Sequence, residues 1–112
     1  MKIESSTIGD IAIFRLAGML VGGPEAESLQ RRVETLVREG TRKVILDLEQ
    51  VSYANSTGLG VLIASFRLLK DSGGSLKFIK IPRRVEGLLA VTKLNQLFEC
   101  YRDEESAVGS FH

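Results

Sequence analysis

The segment Lys43-Val-Ile-Leu-Asp-Leu48 constrains this chain more than any other. It is almost continuously apolar, short for a helix, and β-branched where it begins. A strand of that kind is covered on both faces, which places it inside a sheet beside parallel neighbours, and parallel neighbours are joined by crossover helices. Helical patterns do flank it. Upstream, Gly22-Gly23-Pro24 breaks the chain, and Pro24 suits a first helical position, where no N–H is needed. Ala26, Leu29, Val33, Leu36 and Val37 then recur at three- and four-residue spacing to about Glu39, and Gly40 can end the helix. Downstream, Leu59, Leu62, Ile63, Phe66 and Leu69 hold helical spacing until Gly73-Gly74.

The remaining segments extend this alternation. Lys2 to Thr7 and Ile11 to Ala17 surround the turn pair Gly9-Asp10 and predict a hairpin. The second of these strands is partly apolar on both faces, which puts it inside the sheet. Ser75 to Ile81 predicts another strand, halted by Pro82, and Val85, Leu88 and Leu89 mark a short helix. A last strand over Leu97 to Tyr101 leads to a terminal helix from Asp103, whose first turn carries Glu104 and Glu105 at the favourable end of the helix dipole. The fold class is therefore α/β: a mixed sheet of four to five strands with about four helices packed on it. A length of 112 residues with 44% hydrophobic content suits one domain, spanning 1–112.

Charge and cysteine usage narrow the function. Fifteen basic and fourteen acidic residues give a formal charge of +1, with no block of like charge to bind nucleic acid or a membrane surface. The single cysteine, Cys100, excludes an internal disulfide and a multi-cysteine metal site, and its strand context predicts a reduced core residue. No signal-peptide core or membrane-length apolar run occurs, so a cytoplasmic protein is expected, with no cofactor and no metal.

Between the central strand and the helix after it lies Tyr53-Ala-Asn-Ser-Thr-Gly-Leu-Gly-Val61. In open α/β sheets, ligand chemistry gathers at this strand-to-helix edge. Ser56 or Asn55 can cap the helix by accepting one of its unpaired N–H groups. Gly58 and Gly60 in the first turn each cost about 1 kcal/mol of helix propensity relative to Ala, which points to a reason other than helix stability. A glycine pair admits close approach of another group, and the helix start favours a phosphate. Nucleotide-binding loops with their usual glycine and lysine spacing are missing. The only histidine, His112, is the last residue and offers Ser56 no catalytic base, and neither serine-hydrolase spacing surrounds Ser56. No catalytic residue is expected, which leaves covalent phosphorylation of Ser56 as the chemistry this edge suits.

The run Val44-Ile-Leu-Asp-Leu-Glu-Gln-Val-Ser-Tyr-Ala-Asn-Ser-Thr-Gly-Leu-Gly60 resembles the signature of the STAS family, the anti-sigma factor antagonists. There an apolar strand ending in Asp-Leu leads to a loop of the form Asp-Ser-Ser/Thr-Gly-Leu-Gly. The resemblance continues through Leu76 to Ile81, Val85, Leu88, Leu89, Leu94, Phe98 and Glu104 to Ala107. It implies a regulatory binding module whose unphosphorylated form binds an anti-sigma factor that is also a serine kinase, freeing a sigma factor for transcription. The kinase modifies the first serine of the loop, here Ser56, and a serine phosphatase restores it. The implied partner-binding residues are Asn55, Ser56, Thr57, Gly58, Leu59 and Gly60.

Two departures from the family pattern are visible. Asn55 replaces the usual aspartate, keeping a capping oxygen but not the charge. Gly18-Met19-Leu20-Val21 stands where the family has Gly-Glu-Leu-Asp, so Met19, Leu20 and Val21 offer either an apolar contact patch or a buried turn. Asp47 either positions the loop or bonds nearby backbone N–H groups. The alternative to a phosphorylation switch is a constitutive STAS scaffold or transporter-associated module. Either version is compatible with a monomer or weak dimer.

Overall fold

The computed structural model describes residues 1–111, so the reading of His112 lies outside the described residues. Strands β1 (Lys2–Ile8) and β2 (Ile11–Leu20) are followed by α1 (Pro24–Arg38), β3 (Lys43–Ala54) and α2 (Ser56–Asp71). Then come β4 (Ser75–Ile79), α3 (Arg83–Val91), a 3-10 turn (Leu94–Gln96), β5 (Glu99–Tyr101) and α4 (Glu104–Gly109). The sheet order is β1-β2-β3-β4-β5, with β1 antiparallel to β2 and every other pair parallel. This is the expected mixed sheet, with five strands and four helices.

Both sheet faces are covered, which explains the continuous apolar run in β3. Phe14, Leu16, Val44, Leu46, Leu48 and Phe78 form one core with Leu29 and Val33 of α1, Leu59, Leu62 and Leu69 of α2, and Val85 and Leu89 of α3. On the opposite face Ile11, Ile13, Ile45 and Ile79 pack against Ala107 of α4. Successive strand residues point to opposite faces, so the two sets interleave along each strand.

Lys77, in β4, is buried on the α4 side. Its Nζ donates to the Ser110 carbonyl at 3.2 Å and to the Ser110 hydroxyl at 2.7 Å, and it pairs with Glu99 at 3.2 Å. It also stands 4.3 Å from the Phe111 ring centre. The charge is thus satisfied on several sides, as a buried ammonium requires.

Several features depart from expectation, among them β4, which ends at Ile79 and not Ile81, and β5, which begins at Glu99 and not Leu97. β2 runs on through Gly18, Met19 and Leu20, so those residues are strand and not turn. β3 continues six residues past Leu48 to Ala54. Two register shifts accompany that extension: Arg15 pairs with Asp47 but Ala17 with Gln50, and Gly18 pairs with Val51 but Met19 with Tyr53. At each, β3 carries one residue more than β2, the signature of a bulge. Finally, Cys100 is exposed in β5 and is not a core residue.

Candidate functional site

The edge is built around the end of β2. Leu20 is fully buried, and its carbonyl accepts the Asn55 N–H at 3.2 Å, fixing the end of β3 beside the end of β2. Asn55 is then the single residue between β3 and α2. Its extended backbone and its Oδ1, which accepts the Gly58 N–H at 2.8 Å, make it the N-cap. Ser56 is the first residue of the helix, exposed, with no hydrogen bond to its hydroxyl among the described residues. Asn55 therefore fulfils the capping role and leaves the Ser56 Oγ free. No acidic residue occupies the first turn of α2, so nothing there offsets the positive end of its dipole.

Gly58 and Leu59 do not face outward. A Cβ on Gly58 would lie 1.9 Å from the Leu20 carbonyl oxygen, so the close approach this glycine permits is to the protein's own backbone. Leu59, at 2% exposure, belongs to the core, as does Leu20. The expectation that Leu20, Gly58 and Leu59 contact a partner is corrected by this packing: none presents a side chain to the outside. Gly60 differs, being exposed with nothing within 4 Å of a Cβ placed on it.

The β2–α1 connection completes the edge. A Cβ on Gly22 would meet the Thr57 methyl at 2.6 Å, so Val21 to Gly23 lies against the start of α2. The structure thereby brings Met19 and Val21 together with Asn55, Ser56, Thr57 and Gly60, two groups far apart in sequence. Met19 is 54% exposed and pairs across the strands with Tyr53, which is 51% exposed. Tyr53 is not among the expected contact residues, because only the pairing of β2 with the extended end of β3 sets it beside Met19.

The expected short helix is α3, and its place beside this edge was not foreseen. Because β4 stops at Ile79, opposite Asp47, the last residues of β3 project past it. The Arg84 guanidinium donates to the Ser52 carbonyl of that projection. Between them lies a cleft of about 340 Å³ lined by Tyr53, Ala54, Arg84, Gly87, Leu88 and Val91. Val91 is 82% exposed, and Gly87 sits in mid-helix with open space about it.

Asp47 does not position the loop. It is mid-strand, seven residues before Ala54. Its Oδ1 accepts the Glu49 N–H at 3.0 Å, next to the first bulge, and its Oδ2 lies 3.8 Å from Lys80 Nζ. The carboxylate thus satisfies backbone displaced where β3 leaves register.

This architecture has close counterparts. The STAS domain profile matches residues 2–107. The anti-sigma-B factor antagonist of Bacillus subtilis is 34% identical over 83 residues, covering 74% of this chain and 75% of the relative. Among solved structures, the Bacillus cell fate determinant SpoIIAA in its phosphorylated form superposes with a TM-score of 0.78 at 18% identity, over 99% of this chain and 100% of that one. The anti-sigma factor antagonist SpoIIAA in its unphosphorylated form gives 0.74 at 17% identity, over 97% and 96% of the two chains. No helix among the described residues is long and apolar enough to cross a membrane. A five-stranded sheet whose third strand passes through one capping residue into a glycine-bearing helix, matched over nearly its whole length by that profile, makes this chain a member of the STAS domain family, among the anti-sigma factor antagonists.

Proposed function

We infer that this chain is a cytoplasmic antagonist that acts as one unit, binds an anti-sigma factor with serine kinase activity, and is switched by reversible phosphorylation of Ser56. The observation that carries this reading is the free, exposed Ser56 hydroxyl at the start of α2, beside an asparagine that has already taken the capping role. A phosphate there gains from the helix dipole and carries roughly −1.5 to −2 charges into the middle of the edge. The partner surface consists of Met19, Val21, Asn55, Ser56, Thr57 and Gly60, with Tyr53 beside them. A buried interface of that make-up resists an added dianion through desolvation and lost apolar contact. A serine phosphatase closes the cycle.

Asn55 suits this switch. The family's aspartate would provide the same capping oxygen, but its charge would repel a phosphate on the adjacent residue. The neutral amide keeps the cap in both states.

The test is to incubate the chain with ATP and the anti-sigma kinase of its own cell, then locate the modification by mass spectrometry. One phosphate on Ser56, lost in Ser56→Ala, is expected. Labelling that survives Ser56→Ala would sink the assignment, and binding indifferent to both Ser56→Ala and Ser56→Asp would favour the constitutive scaffold.

A further inference from the structure

A further cavity lies away from the Ser56 edge. It is a cleft of about 500 Å³ between α3 and the ends of β4 and β5, within the range typical of small-molecule sites. Its apolar floor comes from Ile81, Leu89 and Ala90. Its polar groups are unevenly committed. Arg102 has no hydrogen bond or ion pair within 4 Å among the described residues, although Asp103 feels its charge. The Asn95 side chain is likewise without a hydrogen bond among the described residues. Lys80 contributes a second cation, held by Asp47 at 3.8 Å and Glu49 at 4.0 Å, beyond hydrogen-bonding contact.

The backbone of Lys80 is itself unusual. Its φ of 53° is left-handed, a region that a lysine enters at a cost and that concentrates at functional positions. The Lys80 N–H donates to the Tyr101 carbonyl at 3.2 Å, which ties this conformation to the wall of the cleft. Glu86 is the one carboxylate that lines it. One uncommitted cation, Arg102, and a free amide above an apolar floor fit an anion attached to an apolar body.

We propose that the α3–β4–β5 cleft binds a small organic carboxylate, its carboxylate held by Arg102 and Asn95 with Lys80 nearby, and its apolar body on Ile81, Leu89 and Ala90. This site is separate from the phosphorylation switch, and its test needs no partner protein. Cys100 lines the cleft and is the chain's only cysteine, so it reports on occupancy. Although the residue is exposed overall, its thiol is partly buried and donates to the Phe98 carbonyl at 3.6 Å, and burial and then the Glu86 charge push its pKa up.

The experiment uses 3-phenylpropionate as the probe, with uncharged 3-phenylpropanol as its control, on the full chain. Amide NMR shifts are expected at Lys80, Ile81, Asn95 and Cys100 to Arg102, saturating with a dissociation constant on the order of 1 mM. Alkylation of Cys100 by N-ethylmaleimide should slow several-fold at saturation, and Arg102→Gln should weaken binding roughly tenfold while leaving the melting temperature unchanged. Shifts that fail to saturate by about 20 mM would overturn the site. Equal binding of 3-phenylpropanol, or full affinity in Arg102→Gln, would overturn the recognition of a carboxylate.

Discussion

Gly58 and Gly60 stand two residues apart in one helix, and they lack side chains for different reasons. Gly58 is held by packing: a methyl there would fall inside the Leu20 carbonyl. Gly58→Ala should therefore destabilise the chain by about 3 kcal/mol or more in urea denaturation, through overpacking against backbone. Gly60 has open space around it, so Gly60→Ala should stabilise by about 1 kcal/mol, the ordinary helix-propensity gain. The same variant should bind the anti-sigma partner more weakly if the space it fills lies on the proposed contact surface. A stabilised Gly60→Ala that binds normally would remove Gly60 from that surface. Ser65 offers a further check at this scale. Its hydroxyl is fully buried in α2 without a hydrogen-bond partner among the described residues, so Ser65→Ala should be neutral or stabilising by about 1 kcal/mol.

At the scale of elements, the short α4 packs on one sheet face through Ala107, and Lys77 ties down the residue just past its end, Ser110. Lys77→Met retains the aliphatic stem but abandons the Ser110 and Glu99 contacts. It should cost about 2 kcal/mol and raise amide exchange in α4 before the rest of the chain. The other end of α4 depends on pH. The Asp103 carboxylate accepts the Ser106 N–H at 2.8 Å, and these hydrogen bonds with Ser106 lower its pKa. A carboxyl whose folded pKa is depressed stabilises fully above its unfolded value and loses that contribution as pH falls through the folded one. Exchange at Ser106 should therefore accelerate in acid below the ordinary carboxylate range, and Asp103→Asn should flatten that dependence. The elements themselves were largely legible: the periodicity of α1 and α2 and the apolar β3 run each reflect a buried face. What was not legible depended on neighbours. Glu49 to Ala54 looked like loop because β4 ends early and leaves that half of β3 exposed and polar. The burial of Lys77 was not legible, because a strand pattern cannot show the hydroxyl and rings that surround its ammonium. Cys100 reads as core from its strand context but is exposed, because β5 is only three residues long and lies at the edge of the sheet.

For the whole molecule, the sheet separates two kinds of surface. Three helices on one face bury the main core, while the ends of β2 and β3 and the start of α2 form an edge that is apolar at Met19 and Tyr53 and hydroxyl-bearing at Ser56. The position of Ser56 was readable from the strand-to-helix pattern. The division of labour around it was not, because only the fold shows Asn55 taking the cap and Leu20 filling the space that Gly58 leaves. The central claim is that charge at Ser56 controls partner binding. It is tested most directly by calorimetric titration of the anti-sigma partner with the unmodified chain and with the chain phosphorylated at Ser56. The account predicts that phosphorylation weakens binding by roughly tenfold to a hundredfold while the fold stays intact. Equal affinities for the two forms would contradict it.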